Sequence, residues 1–434
     1  MVAYALLIAL VVGMFTGFPI VLAIGASTMV HVLDVGPRVL QIFVQRLFAG
    51  MTNYSFAAVP LFILAGRLLT GTGITERLLR FCNALVGHIR GALAQVNVVA
   101  SIFFAGISGS ALADTAALGS VLIPAMEKDG YEKGFAGAVT AASATIGPII
   151  PPSIVMVVYA STFELSIGAM FAAGIVPGLV LGISQMIITY WISVRRGYPV
   201  GTRLDFPHYL RQLFRATLGA WAALIVPLII LGGIFGGVFT ATEAAAVAAM
   251  YALVVGVVVY REVDWKKLYE MFRDAALTTA GILMILAVAQ NFAWVITRRR
   301  LPALIMGQLI GVTEEPVLLL LIVMCALLVI GMFVERIVAL FILGPILLPV
   351  LINQLGFSSL HAGMTLVFAL GVGHITPPFG GTLYTAAMVG NVKVEEIVRH
   401  LLPYIIGMIL VALLIMFVPP FVTFIPRALG YTVR

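Results

Sequence analysis

Long apolar blocks alternate with short polar bridges along this chain. A block of about 18 or more apolar residues with few charges is long enough to cross a hydrocarbon layer as a helix. By that measure residues 52–72, 166–194, 218–237, 238–260, 275–297 and 401–425 are predicted spans. Residues 1–33 are too long for one span and short for two, and Gly17 and Pro19 mark a kink or turn. Residues 74–91 read differently: Ile74, Leu78, Cys82 and Leu85 share one face, against Glu76, Arg77, Arg80, His88 and Arg90. That pattern suits a helix lying in the plane of an interface. Residues 301–315 are a second short, partly amphipathic piece.

Two more runs are interrupted by twin prolines: Gly147-Pro148-Ile149-Ile150-Pro151-Pro152-Ser153 and Gly373-His374-Ile375-Thr376-Pro377-Pro378-Phe379. Each pair removes two backbone donors and clashes with the preceding turn, so 134–162 and 361–390 are predicted broken helices. Residues 92–126 carry Gly106-Ile107-Ser108-Gly109-Ser110 in mid-run, then Asp114 and Thr115. Residues 316–355 are cut by Gly331-Met332-Phe333-Val334-Glu335-Arg336. Such turn-forming stretches predict two re-entrant hairpins with their tips inside the protein.

The two sets match in register. Gly147, Ile149, Pro151, Pro152 and Pro177 fall 226 residues before Gly373, Ile375, Pro377, Pro378 and Pro403. Gly106, Gly119 and Pro124 fall 225 before Gly331, Gly344 and Pro349, and Phe15-Thr16 falls 224 before Phe239-Thr240. So long a period indicates an internal duplication, with a first repeat over 1–200, an amphipathic cytoplasmic connector over 201–217 and a second repeat over 218–434. The fold expected is an all-α polytopic membrane protein of two repeats, each with a hairpin and a discontinuous helix. Transporters of this build have their repeats inverted in the membrane, and inversion is expected here.

Composition agrees. The 434 residues are 62% hydrophobic and 10% charged, with a mean hydropathy of +1.13. A soluble domain carries about 25% charged residues, so there is no room for a sizeable one. The net charge of +7 does not point to nucleic acid, because the basic residues sit in the bridges. Residues 195–215 hold Arg195, Arg196, Arg203, Arg211 and Arg215 against Asp205, and 261–273 hold Arg261, Lys266, Lys267 and Arg273. Two spans separate these bridges, so both can face the cytoplasm, where Lys/Arg excess is expected. Arg298, Arg299 and Arg300 then fall on the opposite side if 275–297 crosses once. Cys82 and Cys325 lie in apolar context and read as packing residues, with no disulfide inferred. Residues 1–15 lack a basic start and a cleavage site, and read as the first membrane segment.

In lipid a broken helix persists only where protein, water or an ion satisfies its freed backbone groups. Matching breaks in two halves therefore point to a substrate and ion site. Half-helix N-termini offer amides and partial positive charge, and C-termini offer bare carbonyls. Carbonyls with hydroxyls form an oxygen cage suited to sodium. Each tip is expected to face the break of its own half. The first sodium site would join Ser108, Gly109, Ser110 and Gly147; the second would join Gly331, Glu335, Gly373 and Thr376. An anionic substrate would lie between them near Ser110, Ser153 and Thr382, with Gly380 and Gly381 admitting close backbone approach. Arg336 is a candidate to hold a carboxylate bidentately.

Each signal also has a plainer reading. Glycines close-pack membrane helices, and Ser or Thr hydroxyls bond back to their own helix. Asp114 can cap a half-helix, Glu335 and Arg336 can neutralise each other, and Glu243 reads as a cap for the helix after Thr240. His361 and His374 read as structural, and no spacing resembles a transition-metal site. No Walker or dinucleotide glycine pattern appears, so direct ATP use is not expected.

The ordered set of motifs resembles the large membrane subunit of the tripartite ATP-independent periplasmic (TRAP) transporters, essentially end to end. It comprises 106–114, 119–126, Ile150-Pro151-Pro152-Ser153, Phe239 to Val247, Gly331-Met332-Phe333, 344–350 and Ile375 to Gly380. The resemblance implies a sodium-driven importer of organic acids, of C4-dicarboxylate or sugar-acid type, in a bacterial inner membrane. It implies an elevator carrier whose mobile domain slides against a scaffold, with interface arms at 74–91 and 301–315. It also implies two partners: a small four-helix membrane subunit and a periplasmic binding protein that delivers substrate. The sodium sites implied at tips and breaks match Ser108, Ser110, Gly147, Gly331, Gly373 and Thr376. Arg336 departs from the pattern, where a small or polar residue is usual. Two rivals are a stand-alone anion/sodium symporter and an intramembrane serine protease, the latter because Gly106-Ile107-Ser108-Gly109 fits a Gly-x-Ser-Gly pattern, with His374 as base.

Overall fold

A computed structural model of the chain describes residues 2–433 except 37, 53, 202–204 and 314, and their side chains except at 2, 3, 306, 309, 310 and 312. Arg203 of the expected connector and Glu314 of the 301–315 piece lie outside the described residues. Among the described residues the protein is helical throughout, without a β-strand. Among the described residues seven helices are long and apolar enough to cross a membrane, or up to eight if Arg38–Thr52 and Tyr54–Thr70 form one bent span.

The N-terminal run is two helices, Val2–Phe15 and Ile20–Val35, turned at Gly17 with φ +80°. They pack closely enough that Ser27 Oγ donates to the Leu6 carbonyl at 2.6 Å. Arg38–Thr52 follows as a helix that carries no clear signal in the sequence, because Arg38, Gln41, Gln45 and Arg46 interrupt its apolar residues. Ala58–Thr70 and the strongly amphipathic arm Ile74–Val86 come next, the arm burying Ile74, Leu78, Leu79 and Cys82.

The first hairpin is Ala92–Ser108 and Ala111–Lys128. The first broken helix is Lys133–Ser143, a 3-10 turn over Ala144–Ile146, and Ile154–Thr162. Ile167–Arg196 closes the unit. The order recurs in the second half: hairpin limbs Pro316–Phe333 and Arg336–Pro349, helix halves Ser359–Gly373 and Gly381–Gly390, then Val394–Phe417. Thr189 and Tyr404 hydroxyls meet at 2.8 Å, joining the two closing helices.

Between the repeated units stand three long elements: Phe206–Phe235, Ala241–Val254 with its π-helical extension Val255–Val259, and Trp265–Arg298. Residues 206–217, expected as a connector, are the first turns of the 30-residue helix Phe206–Phe235. A polar helix end and a polar bridge have the same composition, so sequence does not distinguish the two. Thr240 and Glu243 form a reciprocal cap: the Thr240 amide donates to the Glu243 carboxylate at 2.8 Å, and the Glu243 amide to Thr240 Oγ1 at 3.3 Å. The piece Leu301–Val312 is apolar all round, with Gln308 its single polar residue, so it is not the amphipathic twin of the first arm. Cys82 is buried and Cys325 faces outward, and both are free thiols.

The basic bridges gather at one end through the first arm. Arg77 pairs with Glu262 at 2.9 Å, and the Tyr209 hydroxyl donates to the Leu85 carbonyl at 3.4 Å. Arg299 sits at the far end of the unbroken helix Trp265–Arg298, bonded to His31 at 2.9 Å and to Asp34. That is the placement a single crossing requires.

A buried polar network pins the first hairpin to the broken helix. Asn97 donates to Thr140 Oγ1 at 2.7 Å and accepts from Ser143 Oγ at 3.3 Å, while Ser101 donates to Ser143 at 2.8 Å. Asn97→Ala removes one buried hydrogen bond each from Thr140 and Ser143, which keep their bonds to the Ala136 and Thr140 carbonyls, so destabilisation by about 1–2 kcal/mol is expected. Thermal melting of the purified protein checks this, and an unshifted curve would count against the network.

Candidate functional site

The first tip is built by a sharp chain reversal. Gly109 ends the limb Ala92–Ser108 at φ +61°, and a Cβ there would lie 2.6 Å from the Pro152 carbonyl. Only glycine gives both the left-handed turn and this contact with the break. Ser110 then starts the next limb as its N-cap, its side chain accepting from the Ala113 amide at 3.5 Å. Asp114 lies one turn further in, fully buried. Its Oδ1 accepts from Ser108 Oγ, and its Oδ2 has no hydrogen-bond partner. A Cβ on Gly147 would stand 2.3 Å from that free oxygen. The tip thus meets the break of its own half, and Ser108, Gly109, Ser110 and Gly147 come together around Asp114. Asp114 does not act as a cap.

The second tip is also a two-residue reversal, but it turns through extended residues rather than a left-handed glycine and carries different charge. Phe333 ends the limb, Val334 is extended, and Glu335 caps the next limb by accepting from the Ile337 amide at 2.8 Å and the Val338 amide at 3.4 Å. Gly331 and Gly373 are in backbone contact: a Cβ on Gly373 would lie 2.6 Å from Gly331 Cα. Arg336 is 2% exposed, and neither terminal nitrogen of its guanidinium has a hydrogen-bond partner. A Cβ on Gly371, in the last turn before the second break, would come 3.1 Å from its Nη2. Among the described residues it forms no ion pair in direct contact, although the neighbouring Glu335 carboxylate still acts on its charge. Thr376 donates to the Val372 carbonyl at 2.7 Å, the back-bonded state of a helical hydroxyl.

Both tips open on one cavity of about 670 Å³. Ser108, Gly109, Ser110, Glu335, Arg336 and His374 line it from the hairpins and breaks, and Arg67, Thr70, Leu277 and Thr278 line it from Ala58–Thr70 and Trp265–Arg298. Ser153, Gly380 and Thr382 are not among its lining residues. The Ser153 hydroxyl instead donates to the Pro148 carbonyl at 2.6 Å and accepts from the Met156 amide at 3.2 Å, closing the break on itself. The Thr382 hydroxyl is buried and turned to the His374 carbonyl at 3.4 Å. Gly380 and Gly381 pack on the Ile375 backbone and the His374 ring. The Ser108 hydroxyl is donated to Asp114 and not to His374, so no nucleophile–base pair is formed. Arg67 was missed from sequence, although it is the single charge within 52–72.

The comparisons with known proteins agree with this architecture. The chain is 36% identical to the sialic acid TRAP transporter large permease protein SiaM of Vibrio cholerae over 96% of its length and 97% of that protein's. It is 35% identical to the C4-dicarboxylate TRAP transporter large permease protein DctM of Pseudomonas aeruginosa, covering 94% of both. The crystal structure of the YdaH transporter of Alcanivorax borkumensis superposes with a TM-score of 0.60 over 89% of this chain and 90% of that one; at 16% identity it speaks for the fold alone. The family profile of the tripartite ATP-independent periplasmic transporter, DctM component, matches residues 4–421, and the chain belongs to that family of multi-pass membrane permeases.

Proposed function

We propose that this permease imports a small organic acid together with sodium, by an elevator movement of inverted repeats. The observation that carries the reading is the pair of unsatisfied charged groups on one cavity: the free Oδ2 of Asp114 on the first tip and the unpaired Arg336 guanidinium on the second. A buried charge without a partner is costly, so each group calls for a ligand of opposite sign.

At the first tip that ligand is sodium. Asp114 Oδ2 and the oxygens of Ser108 and Ser110 are hard donors beside Gly147. A monovalent cation among them neutralises the carboxylate and draws the tip onto the break. At the second tip the ligand is the substrate's carboxylate, received by the Arg336 fork. The second sodium site expected from sequence is not part of this reading. Glu335 already serves its own helix amides, Thr376 bonds back, and Arg336 supplies a fixed positive charge beside the C-terminal half-helix end, where a cation is favoured. Sodium and substrate each stabilise the closed arrangement that the other needs, which is the condition for coupling.

The hairpins and breaks form the moving body, and Ala58–Thr70 with Trp265–Arg298 belong to the scaffold. Close, small-residue contact suits sliding: a Cβ on Gly66 would be 3.3 Å from the Ile107 carbonyl. The binding protein, the small four-helix subunit and the bacterial inner membrane complete the proposal. Both compared permeases are named for carboxylate substrates, sialic acid and C4-dicarboxylates.

Two measurements in proteoliposomes with all three components test this. Asp114→Asn should raise the sodium concentration for half-maximal uptake by at least about tenfold, the scale of losing even an outer-shell metal partner. Uptake that runs at full rate without a sodium gradient would defeat the coupling. Arg336→Ala should weaken substrate binding by at least about thirtyfold, as for truncating one side of a buried charge pair. Arg336→Lys should recover part of it. A change in sodium response alone, with substrate affinity intact, would take Arg336 out of the substrate site.

A further inference from the structure

Away from that cavity, a second concavity of about 570 Å³ lies between the arm Ile74–Val86 and the first turns of Phe206–Phe235. Arg77 and Arg80 face it from the arm, and His208, Arg211 and Arg215 from the long helix. Arg77 is engaged, paired with Glu262 and stacked 3.7 Å over the Tyr260 ring. Arg80, Arg211 and Arg215 form no ion pair among the described residues. Arg77 with Arg80, and Arg211 with Arg215, sit three and four residues apart and so share a helix face. Two like-charged pairs converging on one groove repel unless an anion lies between them.

The surroundings say what kind of anion. The arm is amphipathic and buries its apolar face against the protein, which leaves its polar face to the groove. Beside the arginines, Phe206, Leu210, Phe214 and Leu218 recur every four residues and are 74%, 48%, 65% and 57% exposed. A soluble anion has no use for that stripe, whereas a lipid fits both parts. The basic bridges gather at this end, which marks it as cytoplasmic by the positive-inside rule. Basic pockets between helices on that side suit lipid headgroups.

We propose that this groove binds the phosphate of an anionic phospholipid of the cytoplasmic leaflet, with an acyl chain along Phe206, Leu210, Phe214 and Leu218. The lipid ties the arm to the helix Phe206–Phe235 where Tyr209 and Leu85 already touch. This site is independent of the sodium and substrate assignments.

Native mass spectrometry of the purified full chain, titrated with phosphatidylglycerol, phosphatidylcholine or inorganic phosphate, tests it. Phosphatidylglycerol should be retained at least about tenfold more tightly than phosphatidylcholine, and Arg211→Gln with Arg215→Gln should remove the preference. Arg211→Lys with Arg215→Lys should keep it, which separates loss of charge from loss of fold. Equal retention of the two lipids, or a preference unchanged in the glutamine variant, would overturn the proposal. So would displacement of the lipid by millimolar inorganic phosphate, since the groove would then be a site for a soluble anion.

Discussion

The structure depends on how two stretches of exposed backbone are satisfied inside a low-dielectric environment. An unpaired backbone group there costs several kcal/mol, and each break frees several. In the first break the chain closes much of the gap with itself. Gly147 and Ile149 amides donate to Ala144 and Ile146 carbonyls at 3.1 and 2.9 Å, and Ser153 joins the Pro148 carbonyl to the Met156 amide. In the second, Thr376 provides an amide to Gly373 and a hydroxyl to Val372. A hairpin tip covers what is left, and only glycine lets it approach. Gly109 meets the Pro152 carbonyl and Gly331 meets Gly373, so any side chain at these points would hold the tip off.

This explains which parts were legible from sequence. Proline pairs and glycine-serine turns act on their own neighbours, so the breaks and tips could be placed to within a few residues. The duplication made them more secure, because each feature appeared twice at nearly the same interval. Contacts across the fold were not legible. Nothing local says that the Ser153 hydroxyl turns inward to Pro148, so it read as a substrate ligand. Asp114 read as a possible cap, but caps precede the first turn and Asp114 is the fourth residue of its limb. Its free oxygen acquires meaning only against Gly147, which lies on another element. Arg67 carried one usable signal, a lone charge in an apolar run, which is a functional candidate by default in a membrane.

The two tips share an order of limb, two-residue turn and limb but differ in charge, and the difference argues for division of labour. Ala111 and Arg336 are 225 residues apart and begin equivalent limbs. Asp114 and Ala339 are equivalent by the same interval. One repeat therefore carries a buried carboxyl group where the other has a methyl group, and one turn earlier the second carries a buried guanidinium where the first has a methyl group. Two identical cation sites would need like chemistry on both tips, and the tips do not offer it: the first carries Ser110 and Asp114, the second Glu335 and Arg336. On the proposed reading, a carboxylate entering the cavity would meet a positive charge at the second tip and a repelling negative one at the first until a cation neutralises it. On that reading the asymmetry would order the occupancy: the acid would be poorly received while Asp114 is bare, and the tips would lack a reason to close until both ligands are in place.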